Sequence, residues 1–274
     1  MAELEFTVQP HAGAAAAVAP REAAGLGHTL RVFAALVALR YKARLMYPAA
    51  YYSFLAAKVV GYVSEYAVIF LLLNRFKQIA GWSLPEVLLL HSINVISYTV
   101  AASFVFHVAR NIEQYVVSGE LDTVLLKPVH PLIWLSGFFY SPTYISQTLL
   151  GLGVLYVAGT QLALQWSAAA VLRLAAVVLG ASFLQAALFL IASSVTFWTV
   201  RGRSIADALL SFRDLVSFPV GFINYYPAGL LLNRPEFSAV TPLVVGSPLV
   251  GVGLFAGALW VWDRALRAYS GSGS

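Results

Sequence analysis

The 274-residue chain contains no cysteine. Disulfides, thiolate metal sites and a cysteine nucleophile are therefore excluded. Charge is scarce as well: 11% of residues are Asp, Glu, Lys or Arg, against about 25% in soluble domains. The 5 histidines show no metal-ligand spacing, and no Ser-His-Asp or paired-carboxylate set converges in one segment. No G-x-x-x-x-G-K-[ST] phosphate loop occurs, so this chain does not bind ATP by that route. The net charge of +5 does not come from a basic run interleaved with aromatics. No nucleic-acid footprint is present.

What remains is apolar. Hydrophobic residues make up 60% of the chain, and they come in blocks near the roughly 20 residues that cross a bilayer as a helix. Barrel strands alternate with period two. Leu172 to Ala192, "LRLAAVVLGASFLQAALFLIA", does not alternate. An all-α integral membrane protein follows, because backbone groups in lipid must be satisfied within each segment.

Six spans are expected, at about 49–73, 84–108, 132–155, 169–195, 205–223 and 242–262. Ser83 is placed to cap the second, with Pro85 in its first turn. Pro142 falls near the middle of the third. Residues 1–27 read as an Ala-rich tail without the positive start of a signal peptide. Residues 28–47 are apolar first and basic last, which suits a helix lying in the headgroup layer. Residues 224–241, "NYYPAGLLLNRPEFSAVT", are too short and too rich in proline for another span and read as an external loop or re-entrant turn. Residues 28–274 form one transmembrane domain. Cations set its orientation. With the N-terminus inside, Arg21, Arg31, Arg40, Lys42, Arg44, Arg110, Lys127, Arg201, Arg203, Arg264 and Arg267 are internal, while Arg75, Lys77, Arg173 and Arg234 are external. Both termini are therefore expected in the cytoplasm.

On that topology the stretch "SGELDTVLLKPVHPL", Ser118 to Leu132, faces the cell interior within a cytoplasmic region at 109–131. Gly119 suits the end of the helix descending from the second span. Glu120 and Asp122 fall in the first turn of a new helix, Lys127 at its end, and Pro128 prevents continuation, an order that matches the helix dipole. Leu121, Val124 and Leu125 share one face. That face either rests on lipid or docks on a soluble partner, and Glu113 and Gln114 would border such a contact.

Within the spans, Lys58 and Glu65 share a helix face, and charges at membrane depth usually face a bundle interior or wet cavity. They read either as a translocation path or subunit interface, or as a snorkelling lysine and a helix-capping acid. Arg213 and Asp214 are adjacent, so they need separate partners. Asn94 and Ser97 read as polar glue between helices, and "GLFAG" at Gly253–Gly257 as a close-packing pattern.

Three segments resemble a bacterial ABC transporter permease family of the type-2, exporter-like class: "GWSLPEVLLLH", "SGELDTVLLKPVHPL" and the closing "WDRALRAYSGSGS". The central one carries the family's G-x-L-D-x-x-L-L-x-P pattern, with Val117-Ser118 where the family has isoleucine. The resemblance implies an amphipathic elbow helix before six spans, a coupling helix between the second and third, and re-entrant helices between the last two. It also implies a second permease subunit, identical or related, and two cytoplasmic ABC ATPase subunits carrying ATP and Mg. The expected setting is the bacterial inner membrane, with lipid and no nucleic acid as surroundings. A stand-alone secondary transporter or channel subunit is the rival reading.

Overall fold

The computed structural model describes residues 25–78, 81–164, 166–199, 202–208, 211 and 241–269. Helix α1 (Leu26–Leu45) leads into α2 (Pro48–Phe76), where Pro48 occupies the first turn and needs no amide partner. Helix α3 (Leu84–Ala101) begins as expected at Ser83. The Glu86 carboxylate accepts from the Ser83 amide at 2.8 Å and from its hydroxyl at 2.7 Å, which fixes the start.

The second span does not stop near residue 108. After one π-helical turn (Ala102–Phe106) it continues as α4 (His107–Val117), giving a helix of 34 residues from Leu84 to Val117. At 1.5 Å per residue this is about 51 Å, well beyond the roughly 30 Å of hydrocarbon, so one end must project from the membrane. Part of the expected 109–131 loop is thus the tail of the span itself.

The third span, expected to be continuous over 132–155, is broken. Helix α6 (Pro131–Phe138) ends, a 3-10 turn covers Pro142–Tyr144, and α7 (Ile145–Gln161) follows. Proline lacks the amide and pushes the preceding residue out of helical conformation; Ser141 accordingly has φ −118° and ψ 104°. The two defects face each other. The Ser103 carbonyl, within the π turn, accepts from the Ser141 amide at 3.0 Å across the helix–helix contact.

Helix α8 (Ala168–Ser194) matches the expected fourth span. It is capped by Ser167, whose hydroxyl accepts from the Ala170 amide, and is followed by the single turn α9 (Thr196–Thr199). Residues 203–208 are helical. Helix α10 (Thr241–Ala268) runs past the expected end at 262. Most of the fifth span and of the 224–241 segment, and nearly all of the N-terminal tail, lie outside the described residues. Among the described residues, four helices are long and apolar enough to cross a membrane: Pro48–Phe76, Leu84–Val117, Ala168–Thr199 and Pro248–Ala268.

Helices α8 and α10 cross closely. A Cβ on Gly251 would stand 1.9 Å from the Gly180 carbonyl oxygen, so glycine is required there. Among the described residues the "GLFAG" pattern is not the contact: a Cβ on Gly253 or Gly257 meets none of them within 4 Å. The packed face of α10 carries Gly251, Ala258, Trp262 and Ala265 instead. Trp262 joins a core with Phe189, Leu190, Val108 and Ile112. Helix α1 has no buried residue and lies against α6, where a Cβ on Gly137 would stand 3.1 Å from Leu36 and Phe33. Arg40 stacks 4.1 Å above the Phe138 ring and donates to the Phe138 carbonyl. Partial burial lowers its pKa from the usual arginine value.

Candidate functional site: the projecting helix end and the polar span residues

The end of α4 is shaped by one glycine. Gly119 adopts φ 75° and ψ 0°, the left-handed conformation that costs glycine least, and reverses the chain between α4 and the short helix α5 (Glu120–Leu125). The Ser118 amide donates to the Gln114 carbonyl at 2.8 Å, closing the last turn. Glu120 and Asp122 fall in the first turn as expected. Lys127 lies just past the helix end, its amide donating to the Val124 carbonyl at 3.1 Å. Pro128 follows it, exposed.

The apolar face of α5 turns inward. Leu121 is 0% and Val124 2% exposed, both within the core that holds Ile112 and Val116, and Leu125 is half-buried against it. The outward face carries Glu120, Asp122 and Thr123, with Leu126 at 85% and Val117 at 53% exposed. An oily stripe anchors the helix, and its acids and two isolated apolar side chains point away.

Glu113 serves a different contact. Its carboxylate accepts from the Arg203 amide at 2.5 Å, and one turn earlier Arg110 pairs with Asp207. These two links fasten α4 to the 203–208 helix. Gln114 is exposed on the rim of a polar cavity of about 530 Å³, lined also by His107, Arg110, Asn111 and Arg203.

Lys58 and Glu65 are not brought together as a pair. Lys58 is half-buried, its ammonium 5.2 Å from the Tyr144 ring centre and 5.7 Å from that of Phe54. Glu65 lies 3.6 Å from His91 Nε2 on α3, and that imidazole packs edge-on against Tyr66 at 4.8 Å. Tyr66 in turn shares a 3.2 Å hydrogen bond with Ser92. Asn94 Oδ1 accepts from the buried Gln185 Nε2 at 3.2 Å, and the Ser97 hydroxyl donates to the Val178 carbonyl at 3.3 Å, so both tie α3 to α8. Arg213 and Asp214 lie outside the described residues.

Sequence reasoning missed His91, Gln185 and Gln147 as part of this polar layer. Gln147 is fully buried, and neither amide atom has a hydrogen-bond partner among the described residues. Gln185 stands alone in an apolar run, while His91 and Gln147 sit beside serines or threonines, and for all three only the fold reveals what faces them. Spacing alone gave no role to His130. It caps α6 through Nδ1 and meets Asp263 of α10 through Nε2 at 3.2 Å.

Long apolar helices tied by buried amides and hydroxyls, with one span projecting beyond the hydrocarbon, define a multi-pass helical membrane protein. The profile of the ABC-2 family transporter proteins matches residues 59–219 and 209–273. The chain belongs to that family. No curated protein and no solved structure matches it.

Proposed function

We propose that the chain is the membrane-spanning permease subunit of an ATP-driven exporter, coupled to separate ATPase subunits through the outward face of α4 and α5. Family membership supports the permease reading. The observation that carries the coupling reading is the division of α5 into an anchored apolar side and an exposed side bearing Glu120, Asp122, Val117 and Leu126. A docking face needs a few exposed apolar anchors within a polar rim, and Leu126 and Val117 supply them. Leu121, Val124 and Leu125 hold the helix to its own span, so that a push on α5 is passed to the Leu84–Val117 rod. Gly119 and Pro128 bound the lever. Glu113 transmits to the 203–208 helix, and Gln114 and Lys127 flank the contact.

In this proposal two ATPase subunits carry ATP and Mg, and a second permease subunit, identical or related, completes the path. The complex sits in the bacterial inner membrane with both termini cytoplasmic. Lys58, Glu65, Asn94, Arg213 and Asp214 contribute polar groups to the path or the subunit interface.

The test is copurification. Leu126→Asp and Val117→Asp change exposed residues and should leave the subunit folded while removing the ATPase from the purified complex. Retention of the ATPase by both variants, with transport unchanged, would overturn the coupling face. A variant of Leu121 is less informative, because it breaks the core first.

A further inference from the structure

A second cavity, of about 570 Å³, opens between α1, α3, α6, α8 and α10. Its walls are mostly apolar, with Phe33, Phe104, Phe183 and Phe255 among them, and its polar residues are His130, Ser136, Ser182 and Asp263. Phe255 and Asp263 lie on one helix, about 12 Å apart along the axis. The cavity is thus long, oily within, and charged at the end where α5 also lies.

The charged end has a defined geometry. His130 Nδ1 accepts from the Leu132 amide at 3.3 Å, which places the imidazole proton on Nε2, facing Asp263 Oδ1 at 3.2 Å. The imidazole N–H then donates to the Asp263 carboxylate. Arg267 follows one turn further along the same face of α10. The mouth therefore offers an anion reachable from outside, Asp263 being 44% exposed, and the exposed Arg267 lies one turn beyond the cavity lining.

Water is a poor occupant of most of the interior, since a buried water needs about 2–4 polar partners and the wall away from the mouth offers only Ser136 and Ser182, the latter's hydroxyl already donating to the Val178 carbonyl. An empty void would forfeit the dispersion contacts of its aromatic walls. The volume lies in the range of about 300–1,000 Å³ typical of ligand sites. Around a membrane-spanning chain, the abundant molecule with an oily tail and a charged head is phospholipid. Charge complementarity selects the head: an ammonium for Asp263.

We propose that this cavity holds one acyl chain of a phospholipid with a primary-amine headgroup, its ammonium on Asp263 and its tail among Phe104, Phe183 and Phe255. Helix α1 covers the tail through Phe33. The inference rests on the membrane setting and is independent of any ATPase.

The probe is phosphatidylethanolamine carrying a photoreactive diazirine on its acyl chain, added to vesicles containing the full complex. Labelling should map to the peptides bearing Phe104, Phe183 and Phe255. Unlabelled phosphatidylethanolamine should compete better than phosphatidylglycerol. Ile133→Trp and Leu259→Trp fill the cavity from two half-buried wall positions, and each should reduce cavity labelling to background. Asp263→Asn should keep the labelling and shrink the advantage of phosphatidylethanolamine by about threefold, as befits a half-exposed charge. Three outcomes would overturn the site: label confined to outward positions such as Leu71 and Leu149, cavity label unchanged in a monodisperse tryptophan variant, or equal competition by the two lipids in the unaltered protein. Should one tryptophan variant fail to fold, the other and the lipid competition still decide.

Discussion

Helices α2 and α3 are consecutive, and their spans have the same mean hydropathy, 1.6. Yet 11% of the first is buried within the chain and 50% of the second. Hydropathy measures the fit to hydrocarbon and does not distinguish lipid from protein as the neighbour. The small polar residues make the difference. Helix α3 carries Ser92, Asn94, Ser97 and Thr99, all buried, and several pair with hydroxyls, amides or carbonyls of α2, α7 or α8. Helix α2 turns Val60, Val63, Val68, Phe70, Leu71 and Leu72 outward. In lipid an exposed leucine costs nothing, so that face is free to meet acyl chains or another subunit.

The largest expected effect lies where the interior helices touch backbone to backbone. Gly251→Leu should abolish a monodisperse fold in size-exclusion chromatography, because its Cβ would overlap the Gly180 carbonyl. Next comes a direct break of the comparison. Ile93→Ala in α3, fully buried, should lower stability by about 2 kcal/mol through its cavity. Leu71→Ala in α2 should cost less than about 0.5 kcal/mol for the isolated subunit, as surface changes do. Both are read by denaturation in detergent, and equal losses would erase the distinction. A larger loss for Leu71→Ala in the assembled complex alone would assign that face to a subunit contact. Smaller than the Ile93→Ala loss, Gln185→Leu should cost about 0.6 kcal/mol, the average for polar pairs between membrane helices, and the Asn94→Leu, Gln185→Leu double variant should cost less than the sum of the singles. Smallest is Glu65→Gln. Its carboxylate is 51% exposed and 3.6 Å from His91, so a change within about 0.5 kcal/mol is expected.

Which parts of this could be read from sequence follows the range of the interactions. The Ser83–Glu86 start, the Gly119 reversal and the acids opening α5 are local, and local chemistry was enough to locate them. Pro142 announced a disturbance in the third span but not that the helix breaks around it, because the compensating Ser103 carbonyl lies far away in sequence. Spacing puts Lys58 and Glu65 on one helix face but does not say what they meet, because those groups come from other helices: Tyr144 for one and His91 for the other. The Gly253–Gly257 pattern shows the same limit. Spacing says that two glycines share a face, not which face meets a neighbour, and Gly251 is the residue that does. On α5, periodicity found the apolar stripe correctly. That Leu121 would be spent on the chain's own core depends on Ile112 and Val116 being near, which only the reversal at Gly119 arranges.

The π turn at Ala102–Phe106 has a consequence for α4. Such a turn holds one residue more than a regular helix would, and each residue advances the helical screw by about 100°. The turn therefore sets the phase of everything after it: the bearing on which Val108, Ile112 and Val116 face the core, and with it the compass direction in which Glu120, Asp122 and Leu126 point. Forcing the full sequence through this turn as a regular helix would swing its working end about a quarter-turn off bearing, whereas deleting Ala102 would remove the extra residue and let the rod close as a regular helix on nearly its present bearing.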